Sequence, residues 1–428
     1  MEGEIPGVLF APAGSICEMK PPVATLNVLF LAALLSTAAF AAPDEALLGK
    51  AEGYPVCPLP QGPTEQRCLV GMLSHYDQIV PARKVAKPAA PRALKRAAQE
   101  PPISYAFRDE RGGTIDRFLQ GSRNTGLLVM QGDTILVERY QYDRKPEDRF
   151  QSYSMAKTVV AMLVGIALSE QKLASIDDRA EKYVPALKGQ PYGETRLRHL
   201  LTMSSGVKFT EYYDGKDDVS ILARRTLYQQ GPGGADTVGA FTQRARPAGE
   251  RFSYASGETQ VLGLVLRAAT GKPLAEYLSE KIWQPMGAEA DATWLIDAGG
   301  YETGYMGINA TLRDWGRLGM LLANDGALDG RQIIPAEWLR AATTAEAPHL
   351  EFGAATQLSG YGYQTWLIRP KERMFALLGV RGQAVMVDPV SKVVVVHTAV
   401  HAQSANDPLR GEQFGFFFGV VNSLKQAQ

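Results

Sequence analysis

The sequence predicts an α+β fold: an antiparallel sheet flanked by helices, with an all-helical lobe attached. Three observations lead there. Strand-like apolar runs stand at both ends of the compact part of the chain. The stretch between them, roughly 154–345, is mostly helical in pattern, and the chain is long enough to bury a large core. Of 428 residues, 45% are hydrophobic and 21% charged, with 45 basic and 45 acidic side chains. Zero net charge argues against a nucleic-acid binder and against an acidic solvating tail. Gly (42) and Pro (26) lie near ordinary usage, so collagen-like and wholly disordered readings fail.

Residues 1–41 read as a signal peptide. An apolar run from Val23 to Ala42 follows Lys20 and contains Ala39-Phe40-Ala41, a small-x-small cut site, with Met19 as the expected start. The run is also about long enough to span a bilayer. The cut site and the lack of a basic stop-transfer cluster favour cleavage, hence an exported, periplasmic or secreted protein without a stable membrane anchor. Cys57 and Cys68 then remain, and an oxidising compartment invites a disulfide between them; in the cytosol they would be two free thiols.

Residues 42–110 are turn-rich and proline-rich, and read as an extended segment on the surface of a domain spanning 111–428. Compact structure is expected from near Ile115. Gly126–Met130 and Thr134–Tyr140 flank Gln131-Gly132-Asp133 as a β-hairpin. Phe375–Leu378, Ala384–Val387 and Lys392–Thr398 read as three further strands, and Glu412–Lys425 as a closing helix. The helical lobe is placed at about 170–345, with the site where the two lobes meet.

Ser154-Met155-Ala156-Lys157 opens an apolar run that reads as a buried helix. Positions i and i+3 share a face, so Lys157 can reach Ser154. A buried lysine sheds its charge readily and can take the serine proton. Ser-x-x-Lys alone is weak, for it recurs at Ser169…Lys172 and Ser205…Lys208. Ser154 stands apart through the helix behind it and through Tyr254-Ala255-Ser256, where a phenol could relay a proton ahead of another helical run. A third element, Gly379-Val380-Arg381-Gly382-Gln383, lies between apolar strands and could offer a backbone N–H to an oxyanion. His397 and His401 read as strand residues too far apart (~13 Å) for one metal ion, so neither metal nor cofactor is expected. No Gly-x-Ser-x-Gly elbow or phosphate-binding loop is present.

This order of motifs resembles the serine β-lactamase and penicillin-binding-protein superfamily, class C branch, and within it the 6-aminohexanoate-dimer hydrolases. The likeness extends over nearly all of the chain after the leader. It includes Val70-Gly71, Ser74-His75 and Pro81, the Arg198–Gly206 and Asn309–Asp314 segments, Gly360–Trp366, Gly382-Gln383 and Asp388-Pro389. The resemblance implies Ser154 as acyl-forming nucleophile, Lys157 as its base and Tyr254 as the second relay. It implies an oxyanion hole from the Ser154 N–H with that of Gly382 or Gln383, to within one or two residues. Tyr213 (or its neighbour Tyr212), Ser256, Asn309 and Trp366 match substrate-cleft positions. Two departures stand out: the second motif ends in Ser256 rather than Asn, and Val380 occupies the place of the lysine that holds a β-lactam carboxylate. The expectation is a serine hydrolase for a small-molecule amide or ester, with a non-catalytic binding protein on the same fold as the alternative.

Overall fold

The computed structural model describes residues 41–426 apart from Asp109 and Asn406. The leader read over residues 1–41 thus lies, but for Ala41, outside the described residues. Among those described, no helix is long and apolar enough to cross a membrane.

An eight-stranded sheet is assembled from both ends of the chain. Its order is Gly360–Tyr361, Trp366–Leu367, Phe375–Gly379, Gln383–Asp388, Val393–Ala399, Asn124–Gln131, Thr134–Tyr140 and Lys95–Arg96. All neighbours are antiparallel except the edge pair of Lys95–Arg96 with Thr134–Ile135. The central strands are buried at nearly every position, and apolar through their middles, because both faces are covered. Leu128, Met130, Val385, Val394 and Val396 face the main core, while Leu127, Val129, Met386, Val393 and Val395 face a second one. The second core is closed by the C-terminal helix Leu409–Gln426, where Phe416 stacks on Phe118 at 4.2 Å. The helix Leu312–Ala323 covers the other face; Thr311 caps it by accepting from the Asp314 N–H. The Asn309–Asp314 motif is in part such a cap.

The helix Met155–Ser169 is buried without a break from Met155 to Ala167, which explains its lack of a polar stripe. Gly165 lets Trp338 lie against it: a Cβ there would stand 2.1 Å from the indole, whose N–H donates to Ala161 O at 2.9 Å. Gln364 fixes this helix to its neighbours. Its carbonyl accepts from Thr158, its Oε1 from Thr259, and its amide donates to Leu200 O.

Two expectations need correction. The N-terminal segment is not merely laid on the surface: Leu48, Tyr54, Leu69, Val70, Met72 and Tyr76 belong to the main core. The helix Leu69–Ser74 is buried throughout, and Gly71 passes so close to the preceding chain that a Cβ would meet Tyr54 O at 2.3 Å. Proline content hid this, because its few apolar residues lack a clear period. The 170–345 region also carries strands. Ala292–Leu295 and Ile308–Thr311 form a four-stranded antiparallel sheet with Ala82–Val85 and Arg149–Gln151. Each strand is three or four residues long, too short for alternation to show. Cys57 and Cys68 are disulfide-bonded with a Cα–Cα separation of 5.6 Å.

Candidate active site

Ser154 immediately precedes the buried helix. Tyr153 before it has φ 42°, a left-handed conformation uncommon for a bulky residue. Ser152 holds the turn in place: its N–H donates to Ile308 O at 2.7 Å and its hydroxyl accepts from the Ile308 N–H at 3.1 Å. Gly379 closes over the turn, where a Cβ would sit 2.5 Å from Ser152 O and 3.0 Å from Tyr153 Cβ. Only glycine permits that approach of strand to turn. The Ser154 N–H has no acceptor among the described residues.

Lys157 Nζ lies 2.8 Å from Ser154 Oγ and 3.1 Å from Tyr305 O. It is buried, with its ammonium over the rings of Tyr254 (5.0 Å) and Tyr305 (5.6 Å). Burial pushes Lys157 down to about 8, with the Glu211 charge opposing. Tyr254 shares a hydrogen bond with Ser154, yet burial, and next the Glu211 charge, raise its phenol above the ordinary value. One group therefore titrates near working pH while the other stays protonated, a separation suited to acid and base roles.

Ser256 begins the helix Ser256–Thr270. Its N–H donates to Glu211 Oε2 at 2.8 Å and its hydroxyl to Glu211 Oε1 at 2.9 Å. Tyr213 donates to the same carboxylate at 2.6 Å. Ser154, Glu211, Tyr213, Ser256 and Tyr305 line one cavity of about 420 Å³. Tyr212, the other aromatic of the pair, is 74% exposed. Trp366 stacks on Tyr254 at 5.4 Å, so it supports that phenol.

Other expected positions fall elsewhere. Asn309 is buried in the small sheet, between Gln151 and Thr293, and donates to Thr293 Oγ1 and Gly307 O. It does not line the cavity. On the third motif, Val380 and Arg381 line the cavity beside Ser154, two positions earlier than the expected pair Gly382 and Gln383. The chain turns at Arg381 (φ 56°) and Gly382 (φ 93°). That turn takes Gly382 beneath His397 and Gln413, which bond its carbonyl, and ties the Gln383 side chain to Ala399. The His397 and His401 rings are 6.1 Å apart, nearer than a continuous strand would place them, because the strand ends at Ala399.

Sequence reasoning missed Glu211 and Tyr305. Glu211 lies in a segment with Asp214, Asp217 and Asp218, where a carboxylate reads as loop solvation; the adjoining tyrosines were the available signal. Tyr305 contributes its backbone carbonyl to Lys157, which no residue type announces.

Comparison with known proteins bears on the family and the fold. Residues 113–412 match the Beta-lactamase family model. The chain is 26% identical over 318 residues to the 6-aminohexanoate-dimer hydrolase of Paenarthrobacter ureafaciens, covering 72% of this chain and 81% of that protein. A Bacillus anthracis structure provisionally titled a 6-aminohexanoate-dimer hydrolase superposes with a TM-score of 0.78 at 24% identity, over 86% of this chain and 99% of the other. EstCE1, a hydrolase with promiscuous acyltransferase activity, shares the fold at a TM-score of 0.55 and 17% identity, over 70% and 94% of the respective chains.

Proposed function

Since the chain belongs to the β-lactamase family, we propose that it is a serine hydrolase that cleaves a small amide or carboxylic ester through an acyl-enzyme on Ser154. The observation that carries this reading is the 2.8 Å contact between Ser154 Oγ and a buried Lys157 pushed down to about 8. Neutral Lys157 accepts the Ser154 proton as Oγ attacks the substrate carbonyl carbon. The carbonyl oxygen takes the negative charge, stabilised by the Ser154 N–H and a second N–H from the 379–383 segment. Collapse of this intermediate breaks the bond to the amine or alcohol, which leaves with a proton delivered through Tyr254, itself resupplied by Lys157. Water then attacks the ester on Ser154 by the same groups in reverse and releases the acid.

The relative named for the 6-aminohexanoate dimer supports a chain-like aliphatic amide as one substrate class, with simple esters beside it. A β-lactam carboxylate is disfavoured. Val380 offers it no charge, and the Arg381 guanidinium is committed to the carbonyls of Pro63, His401 and Ala402. We also read the protein as exported, a placement the Cys57–Cys68 disulfide supports.

The test is exposure of the purified protein to a fluorophosphonate probe, with intact mass and peptide mapping beside a Ser154→Ala control. Labelling confined to Ser154 is expected. A folded protein that takes no label and turns over no simple ester would instead be a binding protein on this fold.

A further inference from the structure

The cavity beside Ser154 is not made from the family-matched residues alone. That match starts at residue 113, yet Pro63, Thr64 and Tyr76 line the same cavity as Ser154 and Arg381. Pro63 and Thr64 belong to the loop closed by the Cys57–Cys68 disulfide. We propose that this disulfide-closed loop, seated by Arg381, is a specificity-determining wall of the cleft that sets how well a long substrate chain is held. The inference rests on the hydrolase reading above.

The loop is fixed from both sides. On the inner side, a Cβ on Gly62 would stand 2.5 Å from Met72 Sδ and 2.9 Å from Cys57 O, so the loop backbone lies directly on a core residue. On the cleft side, Arg381 Nη2 donates to Pro63 O at 2.9 Å, while Nη1 donates to His401 O at 2.9 Å and Ala402 O at 3.0 Å. The same side chain is hydrogen-bonded to Tyr153, the residue before Ser154. Gln66 adds a second strap, donating to Ala402 O and accepting from Arg123. One buried guanidinium therefore joins the loop, the 401–402 turn and the nucleophile turn. A guanidinium has five N–H donors in a planar fork, enough to hold several carbonyls at once. Thr64 stands exposed on the lip, its hydroxyl turned back to the Pro60 and Gln61 carbonyls. Opening the disulfide removes the covalent tie and leaves Pro63 and Thr64 held by hydrogen bonds alone, while Ser154, Lys157 and Tyr254 sit on other elements.

The experiment compares kcat/KM for short and long substrates in two series: p-nitrophenyl acetate against octanoate, and ethyl against octyl acetate. The proteins are the wild type with and without reductant, Cys57→Ala/Cys68→Ala, and Thr64→Trp, each checked for folding by thermal unfolding. The long-to-short ratio is expected to fall at least fivefold in one series, through KM, on reduction or in the double variant. Thr64→Trp, which leaves the disulfide and core intact, gives the same reading if the double variant does not fold. Ratios that stay level in both series, or long and short substrates lost together, overturn the inference while the hydrolase reading stands. A wild type that turns over no ester and takes no fluorophosphonate overturns both.

Discussion

Ser154 Oγ and Lys157 Nζ stand 2.8 Å apart because they lie one turn apart at the start of a helix whose interior is wholly buried. At lower pH the ammonium donates to the hydroxyl; once neutral, Nζ accepts from it. In the proposed mechanism Lys157 acts as base only in its neutral form, and burial pushes it down to about 8. The rate should therefore rise with pH through about 8 and level off above it. A pH profile of kcat/KM on a simple ester checks this, and a profile flat from pH 6 to 10 would contradict it.

Replacing Ser154 with Ala removes one partly exposed hydroxyl that caps nothing. Turnover is expected to fall by about 10⁴ or more, with the thermal unfolding midpoint almost unchanged.

Tyr254→Phe keeps the ring on Trp366 and loses the phenol that bonds Ser154. Loss of one positioned proton relay costs about 10² to 10⁴ in rate. The defect should be smaller for an ester with a good leaving group, such as p-nitrophenol, than for an amide. Steady-state kinetics on both would show it.

Glu211 raises the Lys157 pKa against the lowering by burial. Glu211→Gln removes that charge, so the rise in kcat/KM should move below about 8. The shift in the profile separates this electrostatic effect from mere loss of the Ser256 contact, which would lower the rate at every pH.

Burial raises the Glu258 carboxyl well above 4.5; its Oε1 accepts from the Ser205 N–H and hydroxyl, and Oε2 is buried without a close hydrogen bond among the described residues. A carboxyl with a raised folded pKa contributes its stability in full below the unfolded value near 4.5. That contribution is lost as pH rises toward the folded value, by about 1.4 kcal/mol per pH unit. Glu258→Gln keeps an acceptor for Ser205 and does not titrate. Its melting point should therefore gain on the wild type between pH 5 and 8, as thermal unfolding across that range will show.

The sequence by itself determined the parts that depend on local pattern. Continuous apolar strands at 124–140 and 375–399, an unbroken buried helix after Ser154, and i,i+3 spacing were sufficient for the main sheet and for the Ser154–Lys157 pair. Tyr254 was legible through its motif, and the structure puts it on Ser154 across 100 positions of chain. Only the tertiary structure decided the rest. Asn309 has a binding residue's chemistry but lies inside a small sheet, because its neighbours Gln151 and Thr293 come from distant segments. Glu211 looked like loop charge until the Ser256–Thr270 helix presented its first N–H to it. Arg381 pointed nowhere in particular until Pro63, more than 300 residues earlier, offered a carbonyl. Such roles arise from contacts between segments far apart in the chain, and no periodicity within either segment encodes them.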